Sequence, residues 1–160
     1  MRRSPVVVLV VALVICGCSL GPRIATRLSE EDQIREAVFR YQFEFNASGL
    51  GTSANAYFLC VEGGGDPSPE LLQQFRRHRP TVKPASASAL QPGTAQVVDS
   101  DSGLPSLLFL IRQIRQLGTD SAEVEGGYEE ASESGSGNVF RLERRDGRWQ
   151  VVEARMLWIK

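Results

Sequence analysis

The stretch SAEVEGGYEEASESGSGNVFRLERRDGRWQVVEARMLWI, residues 121–159, decides the fold. Ala122, Val124, Gly126 and Tyr128 alternate with Glu123, Glu125, Gly127 and Glu129, the period of a half-buried strand. Val139–Arg145 and Arg148–Ile159 flank Asp146-Gly147, a pair that accepts the positive φ angles of a tight hairpin. That turn sets Leu142 opposite Val151 and Arg144 opposite Trp149. A three-residue turn at Ser134–Ser136 would set Tyr128 opposite Leu142, Glu129 opposite Arg141 and Glu125 opposite Arg145. Charge and hydrophobicity then select one register, although each cross-strand ion pair is worth at most about 1 kcal/mol. Met156, Leu157, Trp158 and Ile159 are apolar at every position, which predicts a final strand ending between two covered layers.

Upstream, Leu107–Leu117 reads as a further strand, with a length that also admits a helix. Residues 81–106 are rich in Ser, Ala and Pro and read as an irregular excursion or ragged hairpin, with strand-like pieces at Thr81–Lys83 and Ala95–Val98. Ala56–Val61 is an apolar strand. Ser68 followed by Pro69 opens a short helix over 69–78, with Leu71, Leu72 and Phe75 on its apolar face and Pro80 as its stop. Ser29 and Asp32 open a longer helix that closes near Asn46–Gly49. Ile34, Val38, Tyr41 and Phe45 form its stripe, and Glu36, Arg40 and Glu44 stand four apart on a polar ridge. Phe39 and Phe43 fall nearly opposite that stripe. They need cover from the 69–78 helix, a second copy or another protein, and in the last two cases they mark an interaction surface.

The chain opens MRRSPVVVLVVALVICGCSLGPR. Arg2 and Arg3 precede an unbroken apolar run from Val6 to Ile15, short of the roughly 20 residues that span a bilayer. Ile15-Cys16-Gly17-Cys18 resembles a bacterial lipobox, in which the cysteine is acylated and becomes the new N-terminus. The expected organisation is a lipoprotein signal peptide at 1–17, a lipidated tether at 18–28 with the lipid on Cys18, and one domain at 29–160. The alternative is an ordinary signal peptide with incidental cysteines. With Cys16 removed and Cys18 acylated, Cys60 has no disulfide partner and reads as a small core residue.

Composition excludes several classes. Of the 160 residues, 42% are hydrophobic and 23% charged, which rules out a wholly disordered chain. Eighteen basic against 19 acidic side chains give a net charge of −1, so no nucleic-acid partner is expected. One histidine and one free cysteine exclude a zinc site, and no metal or cofactor is expected. His78, in Arg-Arg-His-Arg-Pro, reads as a capping or surface residue. Asp99-Ser-Asp-Ser-Gly fails the calcium-loop pattern, with Leu104 and Leu110 where glycine and glutamate belong, and reads as a turn. The glycine runs at 63–65 and 126–127 lack the grammar of a phosphate loop, and there is no nucleophile elbow. One constellation carries chemistry. The expected register puts Glu130, Phe140 and Glu153 on the face of Tyr128, with Arg155 beyond and the glutamates about 10 Å apart. Tyr128, Glu130, Glu153 and Arg155 would then ring the mouth of a concave pocket, or form a solvated salt bridge at the sheet rim.

These elements predict an α+β roll: a curved antiparallel sheet of about four to six strands on one long and one short helix. The segments EAVFRYQFEFNASG, DPSPELLQQFRRHRP, VEGGYEEASESGSGNVFRLERRDGRWQVV and MLWI resemble a group of small bacterial exported lipoproteins. Their layout is similar to the cone of the nuclear-transport-factor-2-like superfamily. The resemblance implies a cone over 29–160 and transfers no catalytic residue; that superfamily holds isomerases and dehydratases as well as binding and scaffolding domains. The expected function is a lipid-anchored protein of the bacterial cell envelope, facing the periplasm or exterior. It would act as a non-catalytic binding or interaction module, with an envelope protein or a second copy as partner. The alternatives are a small-molecule enzyme with acid–base chemistry in the pocket, and a structural envelope component.

Overall fold

Ser29 starts the first helix, its hydroxyl accepting the Asp32 backbone N–H at 3.1 Å. The computed structural model describes residues 28–160; the signal, the tether to residue 27 and Cys18 lie outside them. Helix α1 runs Glu30–Phe45 with three acids in its first turn. After it come β1 (Ala56–Cys60), α2 (Pro69–Gln74), β2 (Thr81–Pro84), β3 (Ser88–Leu90), β4 (Val97–Asp99), β5 (Leu107–Gln116), β6 (Ser121–Ala131), β7 (Ser134–Arg145) and β8 (Arg148–Ile159). None of the described helices is long and apolar enough to cross a membrane.

Six strands form one sheet in the order β2-β1-β5-β6-β7-β8, and β3 and β4 form a separate two-stranded ribbon. The expected all-antiparallel sheet is in fact mixed, because β1 runs parallel to both β2 and β5. Each of those connections is long: α2 lies between β1 and β2, and the β3–β4 ribbon between β2 and β5, as parallel crossovers require. Strands β5 to β8 form the antiparallel meander. The ragged excursion is the ribbon, and Leu107–Gln116 is a strand.

Alternation on β6 holds, with Ala122 and Val124 fully buried on the inner, helix-facing side. The Asp146-Gly147 hairpin holds too: both residues have positive φ, and Leu142 pairs with Val151 and Arg144 with Trp149. The β6–β7 register does not. Leu142 lies opposite Ala122 and Arg141 opposite Glu123, so the pairing is displaced by six residues from the Tyr128–Leu142 alignment. The loop is Ser132-Glu133, between the paired Ala131 and Ser134, and Ser134–Ser136 belongs to β7. Glycine packing selects this register: a Cβ on Gly127 would overlap the Ser136 carbonyl oxygen.

Phe39 and Phe43 receive an internal cover, which removes them as an interaction surface. Phe39 is fully buried and meets Phe75 edge-on at 6.5 Å. Phe43 lies among Tyr57, Phe75, His78 and Phe109, at ring separations of 5.0, 5.4, 4.7 and 4.9 Å. Helix α1 is thus held between the inner face of the sheet and α2, which is why it carries two apolar faces. Phe45, read into the core stripe, is 64% exposed against Tyr41. Helix α2 is shorter than expected, closing at Phe75 as that ring turns into the core.

An ion-pair network ties the helix starts together. Asp32 is buried; it receives Arg35 at 2.8 Å and the hydroxyl of Ser68, the α2 cap, at 2.7 Å. Arg35 also makes a two-pronged contact with Glu62 at 3.0 Å per prong. Burial works against the guanidinium charge, but Glu62 and Asp32 outweigh it and raise the Arg35 pKa further.

Candidate functional site

The C-terminal half of α1 lies along the inner face toward the open end of β7. There Asn46 Oδ1 accepts the Ser136 hydroxyl at 3.3 Å, and Asn138 Nδ2 donates to Ser136 Oγ at 3.4 Å. Ser136 and Asn138 are buried at positions the alternation assigns to the core. Gln42, one helical turn before Asn46, is fully buried, and neither end of its amide has a hydrogen-bond partner among the described residues. Tyr128 pairs with Ser136 across β6 and β7. Burial raises the Tyr128 pKa, the Glu130 charge adds to this, and the Ser136 hydroxyl opposes it. This patch offers neutral donors and acceptors, suited to a small polar molecule or internal hydration rather than to ionic chemistry.

Glu153 and Arg155 do not join it. A bulge between Arg141 and Leu142 puts Glu153 opposite Arg141 and Arg155 opposite Val139. Arg141 pairs in turn with Glu123, on the outer face. Tyr128 and Glu153 therefore lie on opposite faces and five residue steps apart along the strands, roughly 17 Å. The four-residue pocket mouth expected from the sequence is not assembled. The bulge at Val152 turns Glu153 and Arg155 to the outer face, and the six-residue displacement of β7 against β6 carries Tyr128 away from them along the strands; an alternation pattern encodes neither.

The other sequence candidates are structural. His78 stacks on Phe43 and Tyr57, and its Nδ1 donates to the Pro80 carbonyl at 2.9 Å. Burial raises the Cys60 thiol pKa, Asp66 and Glu129 add to it, and Arg112 opposes them, so Cys60 is a poor nucleophile. Asp99 is a buried strut, with Lys83 Nζ at 3.0 Å from both of its oxygens and Asn55 Nδ2 at 2.9 Å. Lys83 also reaches Asp101, so this loop is a braced turn. Among the described residues no group of His, Cys, Asp and Glu has a metal-holding arrangement. Shallow clefts open on the surface. One, of about 450 Å³, lies between α1 and the β7–β8 turn, lined by Glu36, Arg40, Arg148 and Trp149.

The outstanding surface is the far end of β8. Residues 153–157 are exposed without a break, although their side chains alternate between faces. Met156, Leu157 and Ile159 are 56%, 41% and 68% exposed, which corrects the expectation of two covered layers. Helices α1 and α2 are both committed elsewhere, and the described residues supply no further layer over this end. Strand β8 is also a sheet edge. The opposite edge, β2, is four residues long, ends in Pro84 and carries a paired Lys83, which are devices that blunt an edge. The twelve-residue β8 keeps its edge open beside a run of apolar side chains. Sequence reading found the run and misjudged its cover; the missing signal was a count of the layers left to cover it.

Comparison with known protein families, curated proteins and solved structures gives no match.

Proposed function

We propose that this chain is a lipid-anchored protein of the bacterial envelope whose cone domain, of nuclear-transport-factor-2-like type, works as a non-catalytic protein-interaction module. The lipobox-like Ile15-Cys16-Gly17-Cys18 supports the anchor. A long helix laid on the inner face of a large sheet is compatible with the cone. The observation that carries the interaction reading is the unbroken exposure of 153–157 on an open sheet edge. Acid–base chemistry would need Glu153 and Arg155 beside Tyr128, and they lie on the other face.

Two experiments test the reading. Cys18→Ala should abolish lipid labelling and processing, and normal labelling would remove the anchor. A photo-crosslinking residue at Leu157 in the intact envelope should give a discrete protein adduct, and the same residue at Glu125 should not. No adduct at Leu157, or equal adducts at both sites, would overturn the interaction reading.

A further inference from the structure

We propose that the occupant of the β8 edge is the β8 of a second copy, paired antiparallel about a two-fold axis at Ala154; the inference rests on the interaction reading above. Glu153 and Arg155 are both exposed, and neither has an ion-pair partner among the described residues. On an edge strand such charges discourage pairing with an arbitrary strand. They do not discourage pairing with themselves. A two-fold axis at Ala154 sets each Glu153 opposite the Arg155 of the other copy, giving two ion pairs from one sequence. Moving the axis to Glu153 or to Arg155 puts like charges face to face. Moving it to Val152 or Met156 leaves both charges opposite apolar residues.

Three further features fit this axis. It lies close to the middle of β8, so the pairing runs along the strand rather than over a corner. It falls within Glu153–Met156, the regular run between the bulges at Val152 and Leu157. It also brings Met156 opposite Val152 and Leu157 opposite Val151, which covers exposed apolar surface with apolar surface. The two sheets then continue edge to edge, and the contact is isologous, the commonest form of self-association.

The test uses the full chain in mild detergent, its mass followed by sedimentation. Wild type should be a dimer. Glu153→Arg and Arg155→Glu should each weaken association by about tenfold or more, because both ion pairs become repulsions. The double exchange Glu153→Arg, Arg155→Glu should restore it. A monomeric wild type, singles that associate normally, or a double exchange that stays apart would overturn the proposal. Ala154→Cys in a Cys60→Ser background gives a readout independent of charge reversal. Oxidation in the intact envelope should link copies through residue 154, and no more linkage than with Gln150→Cys would also overturn it. A chain that fails these tests while Leu157 still yields a discrete adduct to a different protein would retain the interaction reading and lose the second copy. Failure of the Leu157 adduct as well would end both.

Discussion

Trp158 lies across Gly137 so closely that a Cβ on that glycine would overlap the indole ring. Arg112 and Lys160 approach the same indole at 6.0 and 5.3 Å. The ring covers the outer face where Gly127 and Gly137 pair and leave no side chains of their own. Gly137→Ala should therefore destabilise the domain by about 1–3 kcal/mol and shift the Trp158 fluorescence. Adding Trp158→Ala should relieve that cost. Gly127→Ala meets the Ser136 carbonyl instead, which is backbone, and Trp158→Ala should not relieve it. Melting curves of the four variants check the contrast.

Asp99 predicts a specific acid sensitivity. Burial alone would raise its pKa, but the Lys83 ammonium and the Asp101 backbone N–H outweigh burial and hold it below the ordinary aspartate range. A carboxyl with a lowered native pKa stabilises the fold above about pH 4, and that stability is lost as pH falls through the native value. Stability should drop below pH 4, and Asp99→Asn should flatten the drop while lowering the plateau. Denaturant midpoints against pH measure both.

Asp32 joins the start of α1, the cap of α2 and Arg35. Asp32→Ala should cost about 2–3 kcal/mol, since it leaves a half-buried guanidinium and a cap hydroxyl short of their acceptor. Ser68→Ala should cost about 1 kcal/mol, as an N-cap alone does. The double variant should cost less than the sum, because the two residues share a bond.

The double change Phe39→Ser, Phe43→Ser removes two rings from the interior and should cost several kcal/mol at any protein concentration. Loss of association without loss of stability would contradict the packing on Phe75, Tyr57 and Phe109.

Much of the fold was legible. Caps gave both helix starts, alternation gave β6, and Asp146-Gly147 gave the last hairpin. The six-residue register error was invisible to the same signals. A slip by an even number of residues leaves every side chain on its own face, so Ala122 serves opposite Leu142 as well as Tyr128 does. Backbone approach at Gly127 breaks the tie, and that information is three-dimensional. The candidate site failed through the same displacement and through the bulge at Val152, which reverses the β8 alternation beyond it. The buried amides of Gln42 and Asn138 stand at core positions of their elements, and a polar residue in an apolar period was the available sign of them.

Strand β1 lies between β2 and β5, both of which follow it in the chain, and α1 packs against β5, β6 and β8. Most of the sheet surface that α1 folds upon therefore lies in the last third of the chain. A ribosome releasing this chain in order would leave β1 without β5, and α1 with only α2 to pack on, until the meander is made. Under the export reading proposed above, that delay has a use: the leading segment reaches the translocation machinery before its sheet partners exist. The order of elements would then keep the chain threadable, and the sheet would close over α1 only after passage.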